Sequence, residues 1–262
     1  MKYLIWIVLA AGVAAGGYWW WQKQHPAAPT ETAAAPPAAS GEATIEHPIE
    51  QAQVEPQPDA ATTALPALAD SDTAAQAALQ QVFGANASAL FILNDIIRRI
   101  VATVDNLPRE RVAQRLLPVK PAPGKFKVDT DGSLAADNAS RYAAYVQAAD
   151  AVNTKVLVAA YVHLYPLFQQ AYQDLGYPKG YFNDRLIAAI DNLLATPEVS
   201  QPLRLEQHSV LYQFADPDLE SRSAGQKILL RIGTDNAAII KRKLREIRAA
   251  LTAGAVAKAG AH

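Results

Sequence analysis

Three regimes of hydrophobic patterning follow one another along the chain. Residues 3–22 form an uncharged, near-continuous apolar run, residues 24–65 hold few large apolar side chains, and from about residue 66 apolar positions recur at helical spacing. In the last regime, residues 72–83 predict a short helix and 88–107 a stronger one, with Phe91, Ile92, Ile96, Ile100 and Val104 along one face. Pro108 ends that helix and can open another over 108–117. The stretch 123–132, PGKFKVDTDG, reads as a short strand and turn. Asn138 is placed to cap a long helix running toward His163, with Pro166 expected to kink or end it. Next come a helix over 182–195, an extended segment over 203–214 and a helix from Asp216-Pro217 to Ile232. Gly233 breaks the pattern and Thr234 can cap a final helix to about Leu251. The expected fold class is mainly α, a helical domain with a few short strands.

The second half of this pattern replays the first. RRIVATVDNL at 98–107 aligns without gaps on DRLIAAIDNL at 184–193, an offset of 86 that also sets Phe126 on Tyr212 and Lys155 on Lys241. Two pseudo-repeats, 90–165 and 176–251, are one reading, and chance likeness between short amphipathic helices is the other. In either case Asp105 falls in the last turn of its helix, where the dipole disfavours an anion by ~0.3–1 kcal/mol. A compensating group is therefore expected, either the start of the next helix or an arginine from the other half. Arg99 and Asn106, like Arg185 and Asn192, share a helical face, so a structural network of Arg99, Asp105, Asn106, Asp191 and Asn192 is expected at a helix crossing.

The first two regimes set the organisation. About 20 uncharged residues span roughly 30 Å as a helix, bracketed here by Lys2 and Lys23 and carrying Trp6 and Tyr18-Trp19-Trp20-Trp21 as interfacial aromatics. Residues 1–23 are expected to be a transmembrane signal anchor, lodged in the membrane through residues 3–22. A cleaved signal peptide with small residues at Gly12 and Ala14 is the rival. Residues 26–66 hold eight prolines and twelve alanines, too little apolar surface to offset ordering entropy. Hence 24–65 is expected to be a disordered, acidic tether with an extended reach of roughly 130 Å. The globular domain is expected over 66–252 and a disordered tail over 253–262. Between Lys23 and Arg98 there are nine Asp or Glu and no Lys or Arg, a stretch that translocates readily and sets the domain outside the cytoplasm. The absence of cysteine excludes disulfides, thiolate chemistry and Cys-ligated zinc, and is compatible with a bacterial periplasm.

Candidate chemistry is sparse. Tyr161, Tyr165, Phe168 and Tyr172 step along one helical face, followed by Tyr177, Tyr181 and Phe182 in the turn LGYPKGYFNDRL. Such a ladder is either the core between two halves or a cleft that stacks on a ligand, and the core is favoured. Gly176 and Pro178 suit a helix end and a rigid turn, Gly180 allows close approach, and Asn183 or Asp184 can cap the next helix. If the turn binds a partner, the candidate residues are Tyr172, Tyr177, Tyr181, Asn183, Asp184 and Arg185. No His-x-x-x-His, Gly-x-Ser-x-Gly, phosphate-cradling glycine loop or paired-cysteine motif is present, so no catalytic residue, metal site or cofactor is assigned. Asp184 and Asp191 share a face at i, i+7, and a hydrolase using them is the enzyme alternative, although ~10 Å of helix rise separates them. The last helix sets Lys241, Arg242, Lys243, Arg245 and Arg248 beside an apolar stripe of Ile240, Leu244, Ile247 and Leu251. That pattern meets anionic lipid in some proteins and packs its stripe on a core in most.

Three strings carry a resemblance: NDIIRRIVATVDNLPR (94–109), YPLFQQAYQDLGYPKGYFNDRL (165–186) and FADPDLESRSAGQKILLRIG (214–233). On these the chain resembles the DUF3014 family, over about residues 65–251. The resemblance implies a membrane-anchored envelope domain of Gram-negative bacteria and brings no activity with it. The expectation is an inner-membrane-tethered, single-pass protein whose C-terminal domain binds an envelope protein or cell-wall polymer in the periplasm, with no nucleic-acid partner. A lipid or small-ligand binding protein is a further alternative, which a sealed apolar cavity would favour.

Overall fold

The computed structural model describes residues 45–52, 64–208 and 211–259. Among them are nine α-helices and one two-stranded sheet. The helices are α1 (Asp72–Phe83), α2 (Asn86–Leu90), α3 (Ile96–Asn106), α4 (Ala143–Ala151), α5 (Thr154–Asp174) and α6 (Phe182–Leu194). After the hairpin β1 (Leu205–His208) and β2 (Leu211–Phe214) come α7 (Pro217–Glu220), α8 (Ala224–Arg231) and α9 (Thr234–Ala259). The fold is mainly helical, as the periodicity predicts.

Helix α5 is the axis of the bundle, packing against α1, α3, α6 and α9. Its face buries Leu164, Tyr165, Leu167, Phe168, Ala171 and Tyr172 against Ile96, Ile97, Val101 and Phe182. This explains why Pro166, expected to kink or end the helix, does not end it. An interior proline costs ~3 kcal/mol, and burying several large side chains of ~1.5–3 kcal/mol each exceeds that. A second cluster joins Val158, Ile187, Ile190 and Leu251, and a third sits under the hairpin around Leu203, Leu205, Phe214, Leu219 and Leu230. The hairpin is antiparallel, with Leu205 opposite Phe214.

Several expected boundaries move, each for a local reason. The helix expected over 88–107 is broken at Asp95, whose φ of 52° is left-handed, and the Asp72 carboxylate accepts from the N–H groups of Asp95 (3.0 Å) and Ile96 (3.3 Å) at the new start. The helix expected over 108–117 is replaced by turns and a single 3-10 turn, Gln114–Leu116. The carbonyls of Leu107 and Arg109, which a continuing helix would use, instead accept from Gly225 N (2.9 Å) and Ala224 N (2.6 Å) of α8. Asn138 caps nothing. It is buried, accepts from Lys127 N and donates to the Lys127 and Ala135 carbonyls, and a 3-10 turn (Ala136–Tyr142) and α4 intervene before Asn153 caps α5. The helix expected from Asp216 to Ile232 divides at Ser223, which caps α8. Helix α9 runs on to Ala259, through part of the expected tail, in keeping with its alanine content.

Residues 45–52, expected inside the disordered tether, lie against the domain, with a 3-10 turn at Ile49–Gln51 that contacts α9. Among the described residues no helix is long and apolar enough to cross a membrane, and the expected anchor lies outside the described residues.

Candidate functional site

The turn from α5 to α6 is built from three fitted pieces. Gly176 ends α5 with φ 116°, a conformation that side-chain-bearing residues rarely adopt. Gly180 lets the backbone pass close to the aromatics, since a Cβ there would come within 2.7 Å of the Tyr172 ring and 2.9 Å of Tyr177 Cβ. Gln169 then clamps the turn from α5: its amide nitrogen Nε2 donates to Gly180 O (2.7 Å) and its Oε1 accepts from Phe182 N (2.8 Å). The last bond satisfies a first-turn donor of α6, whose N-cap Tyr181 has no capping side-chain bond. Neither Asn183 nor Asp184 caps this helix, contrary to expectation, because both side chains face a different partner.

The aromatic ladder forms the inner wall of the turn. Phe168 stacks on Phe182 (5.7 Å between centroids), Tyr172 stacks on Tyr177 (4.6 Å), and Tyr161 meets Tyr165 edge to face (5.7 Å). Burial raises the hydroxyl pKa of Tyr161 and Tyr165, with Tyr181 adding to both. Tyr172 is pushed up to about 12, first by burial and then by the Asp105 charge nearby. These hydroxyls are therefore neutral donors at physiological pH.

On the outer side, Asn183 and Asp184 hold the strap of residues 45–52. Asp184 accepts from Glu46 N (3.1 Å) and His47 N (2.7 Å), Asn183 Nδ2 donates to His47 O (2.8 Å), and the Tyr181 hydroxyl accepts from Ile49 N (2.8 Å). Asn183 is fully buried and its Oδ1 accepts from Tyr161 Oη at 3.1 Å, which fixes its orientation. All four bonds to the strap reach its main chain. Ile49 packs on the central cluster and Ala52 on the Val158–Leu251 cluster. Among the described residues, one buried side-chain polar atom lacks a partner, and it belongs to the strap: Nδ1 of His47.

Arg185 points the other way. Its Nε donates to Asp105 Oδ1 (3.0 Å) and its Nη2 to the Asp105 carbonyl, while Arg109 donates to Oδ2 (2.8 Å) and to the Tyr177 hydroxyl. Asp105 is buried, and the compensation its helix end requires comes both from Arg185 of the other half and from Arg109, just past Pro108. The rest of the expected network does not converge. Arg99 donates to the carbonyls of Asn94 and Arg115, Asn106 bonds back to Ala102 O, Asn192 accepts from Ser223 and Gln226, and Asp191 takes a two-point pair from Arg248. Asp184 and Asp191 thus have separate partners and share no site. The basic run of α9 is likewise used internally. Lys241 donates to Thr196 O, Lys243 to Val152 O and Arg242 to Asp150, while Leu244, Ile247 and Leu251 face the bundle.

Between α1, α3, α5, α6 and α9 lies an apolar cavity of about 250 Å³, walled by Leu79, Val82, Ile100, Leu186, Leu244 and Ile247 among others. Its surface is carbon only. No group of three or more His, Asp or Glu able to hold a metal occurs among the described residues.

Sequence reasoning finds Tyr172, Tyr177, Tyr181, Asn183, Asp184 and Arg185 as a set, and the structure gathers them at one corner, with Arg185 and Tyr177 on the Asp105 side and Tyr181, Asn183 and Asp184 on the strap side. It misses Gln169 and the strap. Among curated proteins and solved structures nothing matches the chain. Residues 96–248, more than half of the chain, match the sequence model of a family described as "Protein of unknown function (DUF3014)", a span that includes the α5–α6 corner and Asp105 but not the strap, and the chain belongs to that family.

Proposed function

We propose that this domain is a non-enzymatic binding module that recognises a short, bent polypeptide segment through its main chain at the α5–α6 corner. The observation that carries the reading is the strap itself. A short piece of a Pro/Ala-rich linker is seated on Tyr181, Asn183 and Asp184 by four main-chain hydrogen bonds. Bonds to the main chain select a backbone path, here a bend at Glu46 and His47 running into the 3-10 turn at Ile49–Gln51, rather than a particular sequence, so a partner's chain of similar shape can replace the strap. The unpartnered His47 nitrogen makes the strap a less than optimal occupant, since an unsatisfied buried group costs ~1–3 kcal/mol.

In this reading residues 3–22 anchor the protein in the bacterial inner membrane as a single pass, and the domain works in the periplasm on an envelope protein. The uncharged N-terminal run and the Lys- and Arg-free linker support that placement. Residues 90–165 and 176–251 are proposed as pseudo-repeats, supported by α3 and α6 beginning at positions 86 apart, the offset of the sequence match. The hydrolase alternative is not favoured, because Asp184 and Asp191 are committed to separate partners.

The test is binding in trans. A labelled peptide carrying residues 44–53 is titrated into the chain whose own residues 45–52 are replaced by Gly and Ser. Saturable binding that Asp184→Ala and Tyr181→Phe each weaken supports the module. Absence of binding, or binding indifferent to both substitutions, refutes it.

A further inference from the structure

We infer that the cavity between α1, α3, α5, α6 and α9 is a binding site for a single aliphatic chain of roughly ten carbons, the tail of an amphiphile whose polar head stays at the mouth. The inference does not depend on the peptide reading, although the two sites are adjacent: Tyr161, Phe168 and Phe182 line the cavity and also back the α5–α6 corner.

Three observations carry it. The first is size. Protein interiors are packed with few voids larger than a water molecule, and an apolar cavity of ~150 Å³ stays dry and takes up benzene. At about 250 Å³ this cavity is larger by a factor that scales six carbons to roughly ten. The second is chemistry. The walls present aliphatic and aromatic carbon and no polar atom, so a ligand that needs hydrogen bonds, such as a sugar, nucleotide or peptide backbone, would be desolvated without return. The single hydroxyl near the wall, that of Tyr161, is already given to Asn183. The third is the composition of the neighbouring chain. Residues 53–63, which follow the strap, hold Val54 as their one large aliphatic residue, and residues 254–262 hold only Val256. Neither stretch offers the side chains that would fill such a space.

Half-buried Leu79, Val82, Leu157 and Leu244 stand around its mouth, so the cavity is open to the surface and not the sealed one expected of a lipid binder from the sequence. A chain can therefore enter tail first. Ala52 of the strap packs on the cluster that shares Val158, Ile190 and Leu251 with the cavity wall, which places the strap's end beside the site.

The experiment uses the full chain in phosphatidylcholine nanodiscs and a photoreactive decanoic acid, with the labelled residues mapped by mass spectrometry. The expected result is labelling concentrated on α1, α5 and α9 wall residues, competed by decanoate and at least fivefold less by hexanoate. Ala78→Phe, which grows a ring into the space, should remove at least nine-tenths of that labelling while the melting temperature holds or rises. Ala160→Leu provides a second filling variant should Ala78→Phe fold poorly. Labelling confined to residues 3–22 or scattered over the surface overturns the proposal. So does labelling that survives both filling variants, or a change of oligomeric state in either, which would assign the cavity to a second copy.

Discussion

Replacing Arg185 with Met tests the central electrostatic claim. The Asp105 side chain is 6% exposed and its Oδ1 receives Arg185 Nε at 3.0 Å, while the Arg185 side chain is 24% exposed. Met retains the packed stem and deletes the charge, leaving the buried Asp105 Oδ1 without its Arg185 donor and the Asp105 carbonyl with Arg109 Nε (3.2 Å) in place of both arginines. Breaking a buried pair from one side costs ~3–5 kcal/mol. Arg109 still holds Oδ2 at 2.8 Å, so the low end applies, about 3 kcal/mol, or roughly 6–12 °C in Tm for a domain of this size. Arg109→Met removes a side chain that is 45% exposed and should cost only about 1 kcal/mol. Combining Arg185→Met with Asp105→Asn removes the stranded charge along with its partner, and should recover about 1 kcal/mol or more relative to additivity. Urea unfolding of the compact unit Ala43–His262 followed by far-UV ellipticity measures these three variants and Asp105→Asn alone. If Arg185→Met costs less than Arg109→Met, or the double variant shows no recovery, Asp105 is not held as argued.

Gly180→Ala should cost ~1–3 kcal/mol by driving a methyl into the Tyr172–Tyr177 stack, read by the same unfolding and by altered near-UV ellipticity; an unchanged midpoint would contradict the close approach. Asp184→Ala should speed amide exchange at Glu46 and His47 while exchange in α5 stays the same, and equal protection in both proteins would show that the carboxylate does not hold the strap. At alkaline pH the sign follows from raised tyrosine pKa values. Tyr161, Tyr165 and Tyr172 stay neutral in the fold while an unfolded tyrosine ionises near 10, so stability is full below pH ~10 and falls as pH rises toward the folded value of about 12 for Tyr172. Urea midpoints flat from pH 9 to 11.5 would rule this out. At acid pH Glu220 behaves oppositely. Burial raises its pKa, but Lys227 and the Phe214 N–H lower it further, so its contribution is present above pH ~4.5 and lost as pH falls through the lower folded value; Glu220→Gln should flatten that part of the profile.

The helical character was legible because most of the apolar faces are long and periodic, as in α3, α5 and α6. What misled was competition for backbone groups, which periodicity does not register. Pro108 reads as a helix start, yet α8 arrives from more than a hundred residues away and takes the carbonyls of Leu107 and Arg109. Pro166 reads as a stop, yet tertiary burial on both sides of it carries the helix through. The demanding corner at 175–185 was legible from its density of Gly, Tyr and Asn-Asp-Arg, and Asp105 from an anion placed against its helix dipole. Gln169 left no signal, since a glutamine on a helix face is ordinary until its two partners are known. The strap left a faint one: Ile45 and Ile49 are large β-branched residues flanking Pro48 in a segment otherwise made of small, polar and acidic residues.

The first turn of α6 joins the two halves of this story. Tyr181, Asn183 and Asp184 bind the strap, while Arg185, the next residue, reaches into the Asp105 site on the opposite side. Consecutive helical residues are about 100° apart, so one turn serves both sides without a shared atom. Gln169 and the stacked rings fix that turn from α5, which in turn lies along the central core. For the proposed module this has a consequence: the groups that make the four strap bonds are held by the fold itself, so exchanging the strap for another chain would require no rearrangement of the domain. Affinity for such a partner would then depend on how well its backbone follows the path of residues 46–49 and on the effective concentration at which the strap competes from the same chain.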